Sequence, residues 1–231
     1  GITTAAINGT VTDQTGDPLP AASIIIEHMP SGTQYGTTSR NDGKFNLLGL
    51  RTGGPYTITV SYVGYLAQKL ENQFLELGQN LQANFMLPET AVELKDITII
   101  AEKNPILSEG RTGASTNVSR DQIDKLPTIS RSFEDYYKLS PLFSGGSAAG
   151  RNSKYNNIQI DGSNYNDLFG LGGSTPGSQS RVTPISLDAI EEFQITVSPY
   201  DIRQGGFTGA GINAITRSGT NFYHGSGFYY G

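Results

Sequence analysis

The chain has 231 residues with 16 basic and 21 acidic side chains, a net charge of −5. With no basic clusters, that balance argues against nucleic acid or anionic lipid as a partner. There is no cysteine, hence no disulfide framework or thiolate chemistry, and no 18-residue apolar run that could form a spanning helix. Gly1 opens into polar sequence, so any export signal is expected to have been removed. From residue 6 to 87 the chain reads as short strands: AINGTVTD, ASIIIEHM, TQYGTTS, KFNLLGL, PYTITVSYVGY, AQKLENQFLEL and LQANFML. Gly16-Asp17-Pro18 and Asn41-Asp42-Gly43 supply turn chemistry between them, the latter as a hairpin signal. Ile58, Val60 and Tyr62 alternate with Thr57, Thr59 and Ser61, an apolar face against a hydroxylic one, as in a half-buried strand. The first half is therefore expected to be a small antiparallel β-sandwich.

The texture changes near Pro88. Ser119 with Gln122 forms a capping box for a short helix over Arg120 to Lys125, ended by Pro127. A second helix is expected over Phe133 to Leu139, strands over Asn157 to Asp161 and Gln194 to Val197, and a helical turn over Leu187 to Glu192. Between the two strands lies a long polar, glycine-rich segment, Gly162 to Pro184, of a length that in compact domains is usually functional or disordered. This second region is a small α+β domain. At the end, Ile212 to Arg217 alternates as a strand, Ser218 to Asn221 is a turn, and Phe222 to Tyr230 alternates aromatics with glycines. Aromatic and small residues at period two, without aliphatic core residues, fit a membrane-barrel strand. The chain is accordingly expected to be the front of a larger outer-membrane protein.

Chemistry-bearing groups are sparse. His28 and His224 have no carboxylate companion nearby, and the Asp161-x-Ser163-Asn164-x-Asn166-Asp167 run lacks the spacing and terminal glutamate of a calcium loop. Gly145-Gly146 and Gly170-x-Gly172-Gly173 do not join a strand to a helix as phosphate cradles do. No catalytic residue, cofactor or metal is expected. Asp161, Glu191 and Glu192 with Arg203 and Arg217 are expected to form a charge network within the second domain.

Ile7-x-Gly9-x-Val11-x-Asp13, Gly16-x-Pro18-Leu19-Pro20-x-Ala22-x-Ile24, Asn41-Asp42-Gly43-x-Phe45 and Tyr56-x-Ile58-x-Val60-Ser61-x-x-Gly64-Tyr65 resemble the carboxypeptidase-regulatory-like, transthyretin-type sandwich. Ile158-Gln159-Ile160-Asp161-Gly162, Ile190-Glu191-Glu192-Phe193-Gln194-Ile195 and Gly209 to Asn221 resemble the plug of a TonB-dependent outer-membrane transporter. Pro184 to Glu191 and Ser198 to Gly209 resemble more narrowly the Oar-like branch, in which a regulatory-like sandwich precedes the plug.

The resemblance implies a mainly β chain: residues 1–88 a sandwich, 89–104 a linker, 105–219 a plug and 220–231 the start of the first barrel strand. It implies a plug seated in a barrel of about 22 strands, whether in the same polypeptide or a separate one. A TonB-type energy-transducing protein would pair with a short strand ahead of the plug and pull. The matching segment is Asp96, Ile97, Thr98, Ile99, Ile100 and Ala101, a β-branched run without proline or glycine that suits strand addition. The same run also reads as a last sandwich strand or a first plug strand. Gly162 to Pro184 would form apical loops, with Asn164, Tyr165, Asn166 and Phe169 able to stack on or hydrogen-bond a sugar or peptide. An outer-membrane lipoprotein or larger membrane complex is a candidate partner, and the N-terminal sandwich would lie in the periplasm. The rival reading is an exported binding or adhesion protein whose sandwich does the recognising. It would be favoured by a mature polypeptide ending at Gly231.

Overall fold

The computed structural model describes residues 2–89, 97–100, 114–126, 128, 131–144, 146–166, 185–198, 204–205, 207–225 and 227. The chain is mainly β, with two compact units. One comprises Thr4–Gly110 and Gly219–His224, the other Gly1–Thr3, Arg111–Ser218 and Gly225–Gly231.

The first unit is a β-sandwich. Its strands are β1 (Ala5–Thr12), β2 (Ser23–His28), β3 (Thr33–Thr38), β4 (Lys44–Leu50), β5 (Gly53–Ser61), β6 (Gln68–Leu75), β7 (Asn80–Gln82), β8 (Phe85–Met86) and β9 (Ile97–Ile100). One sheet runs β3-β2-β5-β6-β9; the other runs β4-β1-β7, with β8 also on β1. Alternation does the sorting: Ile24 and Ile26 of β2 and Tyr56, Ile58 and Val60 of β5 point inward and are buried, against Ile7, Val11 and Phe45. Burial of this apolar layer is what holds the two sheets together.

Two features differ from the expected antiparallel arrangement. The chain crosses from β6 to the opposite sheet and arrives running in the direction of β1, so β7 and β8 pair with β1 in parallel. The Asn41-Asp42-Gly43 turn closes tightly, Arg40 N donating to Lys44 O at 2.8 Å and Gly43 N to Arg40 O at 2.9 Å. It does not make a β3–β4 hairpin, because those strands belong to different sheets. Gly43 is left-handed (φ 73°), and a methyl there would come within 2.6 Å of Val11 O, so the turn is a corner pressed onto β1.

The second unit is one five-stranded sheet with short helical elements. Its strands are β10 (Ala114–Ser119), β13 (Asn157–Ile160), β14 (Ser163–Asn164), β15 (Ile190–Ser198) and β16 (Gly211–Thr216), in the order β10-β15-β16-β13-β14, and a separate ribbon pairs β11 (Phe143–Ser144) with β12 (Ser147–Ala148). Helix α1 spans Arg120–Lys125, and Gln122 Oε1 accepts from Ser119 N at 3.1 Å. The Phe133–Leu139 segment is a 3-10 helix, and only Leu187–Ala189 forms the turn expected over Leu187 to Glu192. Ile190 to Glu192 are strand instead, because both flanks of β15 supply ladders: β10 on one side and β16 on the other. Phe193, Ile195, Ile212, Ile158 and Val118 form the core against Ile123, Tyr136 and Leu187.

Phe222 to Gly225 and Gly227 lie in no strand, and Phe222 and Tyr223 are exposed. Here Asn221 donates from its backbone to Pro30 O and from Nδ2 to Ser31 O, which ties this stretch to the β2–β3 turn. An aromatic strand of the barrel type needs strands on both sides to satisfy its backbone, and none pairs with it among the described residues. Ser226 and Phe228 to Gly231 lie outside the described residues.

Candidate functional site

Three places carry the residues singled out from the sequence, and each is set by its local fold. The first is the segment ahead of the second domain. Ile97, Thr98, Ile99 and Ile100 form β9, which pairs in parallel with β6 at Gln68, Lys69, Leu70 and Glu71. Asp96 and Ala101 lie outside the described residues. β9 closes the sheet on that side, since no strand lies beyond it in the strand order among the described residues. Asn72 is left-handed (φ 58°), and between Leu70 and Gln73 β6 spends one residue more than β5 does between Ile58 and Tyr56. Such a bulge twists the strand edge away, and the β9 ladder ends one residue before it.

The second place is the hairpin β13–β14. Asp161 (φ 49°) and Gly162 (φ 79°) are both left-handed, the geometry of a two-residue type I′ turn for which Asp-Gly is favoured. Asn164 Oδ1 accepts from Gln159 Nε2 at 2.9 Å. Tyr165 N donates to Ile158 O at 2.7 Å, while its ring is partly exposed. Asn166 behaves as a strand surrogate: its Oδ1 accepts from Ile158 N at 2.7 Å, and its Nδ2 donates to Asn157 Oδ1 at 2.9 Å. Both ends of that amide are held by β13, so it is not free for a ligand. Phe169 lies outside the described residues.

The third place is the set of charges. Glu191 and Arg217 approach to 3.7 Å, and burial of the Glu191 carboxyl raises its pKa although Arg217 opposes the shift. Asp161 takes no part in that pair; its carboxylate accepts from Thr216 N at 2.9 Å and Thr216 Oγ1 at 2.7 Å, fastening the end of β16. Glu192 is buried on the opposite side of β15 from Phe193, and Arg203 lies outside the described residues. A denser charge cluster sits elsewhere. Asp188 receives Arg131 at 2.7 Å, and Arg120 holds Asp124 at 2.6 Å while donating to Leu187 O and Ile190 O at 3.1 Å each. Arg131 and Asp188 are 57 residues apart in sequence, and no spacing rule reaches that far.

The feature that the sequence reading missed lies on the face of the sheet away from its core. Asn117, Gln194, Asn213, Gln159 and Asn164 occupy facing positions on β10, β15, β16, β13 and β14 in turn, an amide rung across all five strands. Gln194 Nε2 donates to Asn117 Oδ1 at 3.0 Å. Gln194, Thr196, Asn213, Asn157 and Glu192 on this face are all buried. A cavity of roughly 20 Å³ opens beside Asn157, Gln159, Gln194, Thr196 and Asn213, room for one water. Asn213 Oδ1 is buried there without a donor among the described residues. β13 carries amides at Asn157 and Gln159, but β15 and β16 carry one each, Gln194 and Asn213, and only strand order reveals that they align.

Residues 6–88 match the carboxypeptidase regulatory-like domain family. The chain is 28% identical over 97% of its length to the TonB-dependent transporter Oar of Myxococcus xanthus, of which it spans 21%. Among solved structures, the catechol 1,2-dioxygenase of Acinetobacter radioresistens is 13% identical, with 43% of this chain and 58% of that chain covered at a TM-score of 0.31. The TIE protein of Bacillus anthracis is 18% identical, with 38% and 18% covered at a TM-score of 0.31. From residue 6 to 88 the chain carries a carboxypeptidase regulatory-like domain, and along nearly all of its length it is similar to an Oar-like TonB-dependent transporter.

Proposed function

We propose that the chain is the N-terminal and plug portion of a TonB-dependent outer-membrane transporter, with the sandwich in the periplasm and the second domain gating uptake through a barrel of about 22 strands. The observation that carries the reading is the extent of the similarity to Oar, which runs through both units rather than the sandwich alone. The second domain's chemistry supports it. A sheet apolar on one face and lined with amides on the other buries its apolar side against its own helical elements, and its amide rung runs out to the exposed Asn164 at one edge, where it can meet a polar wall. The exposed aromatics Phe222 and Tyr223, in a segment that finds no strand partner, fit the entrance to a barrel whose neighbouring strands would complete it. Ile97 to Ile100 is the segment to which a TonB-type protein would add a strand.

Membrane fractionation of the native organism tests this. The protein is expected in the outer membrane within a polypeptide several times the length of this chain, retained by the periplasmic domain of the TonB-type protein. Recovery as a soluble periplasmic protein with no barrel would instead support an exported binding protein.

A further inference from the structure

The candidate docking strand is not a free tail: it is the terminal strand of the sandwich's five-stranded sheet. Resting on the docking reading above, we propose that the sandwich presents Ile97–Ile100 as a preformed edge, and that the extended strand of a TonB-type partner adds to the unpaired side of β9 while β6 stays bound on the other. The partner would make a sixth strand in one continuous sheet.

Three observations lead there. In a strand, the backbone groups of successive residues point alternately to the two sides. Pairing with β6 therefore engages half of β9's donors and acceptors and leaves the other half facing outward, where no strand lies among the described residues. Residues 97–100 are all β-branched, which restricts them toward the extended form that strand addition requires. Ordering a flexible segment opposes binding, so a segment already held straight by β6 meets its partner with that loss largely behind it.

Among the described residues four pairs join β9 to β6, which fixes β9 in direction and register. A regulatory-like domain next to a docking segment thereby acquires a mechanical role, because load applied to the added strand passes into the sandwich as well as along the chain.

These 231 residues contain no cysteine, so an engineered pair meets no competing thiol within them. Lys69 and Thr98 face each other across the β6–β9 ladder. The double variant Lys69→Cys with Thr98→Cys, in the full-length protein, is expected to form its disulfide on mild oxidation. The oxidised protein should then bind the periplasmic domain of the TonB-type protein about as tightly as the reduced one, since the cross-link only fixes what β6 already holds. Failure of the disulfide to form would show that β9 does not rest on β6 and would overturn the proposal. So would oxidation that weakens binding tenfold or more and is reversed by reductant, because the segment would then have to leave the sandwich to dock. The docking reading is judged separately: if the unmodified protein and an Ile99→Pro variant bind the periplasmic domain equally, Ile97–Ile100 is not the docking strand, and this proposal falls with it.

Discussion

The two units solve the burial problem in different ways. The sandwich has two sheets and places the apolar face of each against the other, so Ile24, Ile58, Val60 and Ile7 are sealed within the domain itself. The second unit has one sheet. Its apolar face is closed by α1 and the 3-10 segments, while its other face carries the amide rung from Asn117 to Asn164, buried at Gln194 and Asn213, where Asn213 Oδ1 has no donor among the described residues. Buried polar groups are costly unless each is satisfied. The sandwich thus seals its apolar surface between two sheets, whereas the second domain closes one sheet with short helical elements and keeps polar groups under cover on the other side.

The sharpest way to break that contrast is to remove one core side chain from each unit. Phe193 is fully buried and stacks edge-on against Tyr136 with ring centroids 5.3 Å apart. Phe193→Ala should lose about 3–5 kcal/mol, enough to unfold a one-sheet domain. Amide hydrogen exchange should show protection lost in β10, β13, β15 and β16 and retained in β1 to β6. Ile24→Ala, at about 2–5 kcal/mol, should do the reverse. Loss of protection in both units from either variant would mean that the two cores are not separate.

Close approaches give a second, smaller pair. A methyl on Gly9 would come within 1.7 Å of Ala83 O, the backbone where the chain crosses between β7 and β8. Gly9→Ala must move backbone and should lower the sandwich's stability by about 3 kcal/mol. A methyl on Gly209 would meet Asn156 Oδ1 at 2.4 Å, an atom that accepts from Ala210 N at 3.0 Å. Gly209→Ala needs the Asn156 amide to turn away and the Tyr155 backbone, 3.1 Å from the methyl, to give slightly, so about 1–2 kcal/mol is expected from the hydrogen bonds lost at Asn156. Chemical denaturation of each variant measures both, and a larger loss at Gly209 than at Gly9 would invert the expected order.

Asp161 comes third. Asp161→Ala removes the acceptor for Thr216 N and Thr216 Oγ1 and leaves a left-handed residue without its polar side chain. About 1–2 kcal/mol should be lost from the second domain. Asp161→Asn keeps the turn preference and one acceptor oxygen and should recover about half. Equal losses in the two variants would place the effect in the charge rather than in the hairpin.

The sandwich was far more legible from sequence than the second domain, for a physical reason. Strands such as β5 alternate, with Ile58 and Val60 against Thr57 and Thr59, and the strands are broken by residues such as Gly16, Pro18 and Gly43 whose backbone preferences mark turns, so period and punctuation agree there. What could not be read was which sheet each strand joins: the turn at Asn41-Asp42-Gly43 looks like a hairpin locally, and only packing of β4 on β1 makes it a corner. In the second domain, Ile190 to Glu192 follow a capped turn and suggest its continuation, yet flanking ladders draw them into β15. Parallel pairings, β13 with β16 and β6 with β9, join residues far apart and leave no local trace. The same distance hid the amide rung and the Asp188 cluster, whereas the Asp-Gly turn at 161–162 was visible because two adjacent residues decide it.

The smallest expected effect gives the two units opposite signs. His28 is buried against Tyr56, with ring centroids 4.8 Å apart, and its Nδ1 lies 2.7 Å from Ser31 Oγ. Burial, aided by the Arg51 charge, lowers its pKa below 6.5. As pH falls below that value the unfolded chain takes up a proton that the folded sandwich resists, so the sandwich loses stability in that window. Glu191 is displaced the other way: burial raises its pKa above 4.5 despite Arg217. As pH falls toward 4.5 the folded second domain is protonated before the unfolded chain, so this group adds stability there and withdraws it as pH rises through the folded value. Between about pH 6.5 and 4.5, exchange protection should therefore decline in the sandwich and gain a stabilising contribution in the second domain. His28→Gln should flatten the first slope and leave the second, and Glu191→Gln should do the opposite. A Glu191→Gln variant that keeps the wild-type slope would show that a group other than Glu191 titrates in that window.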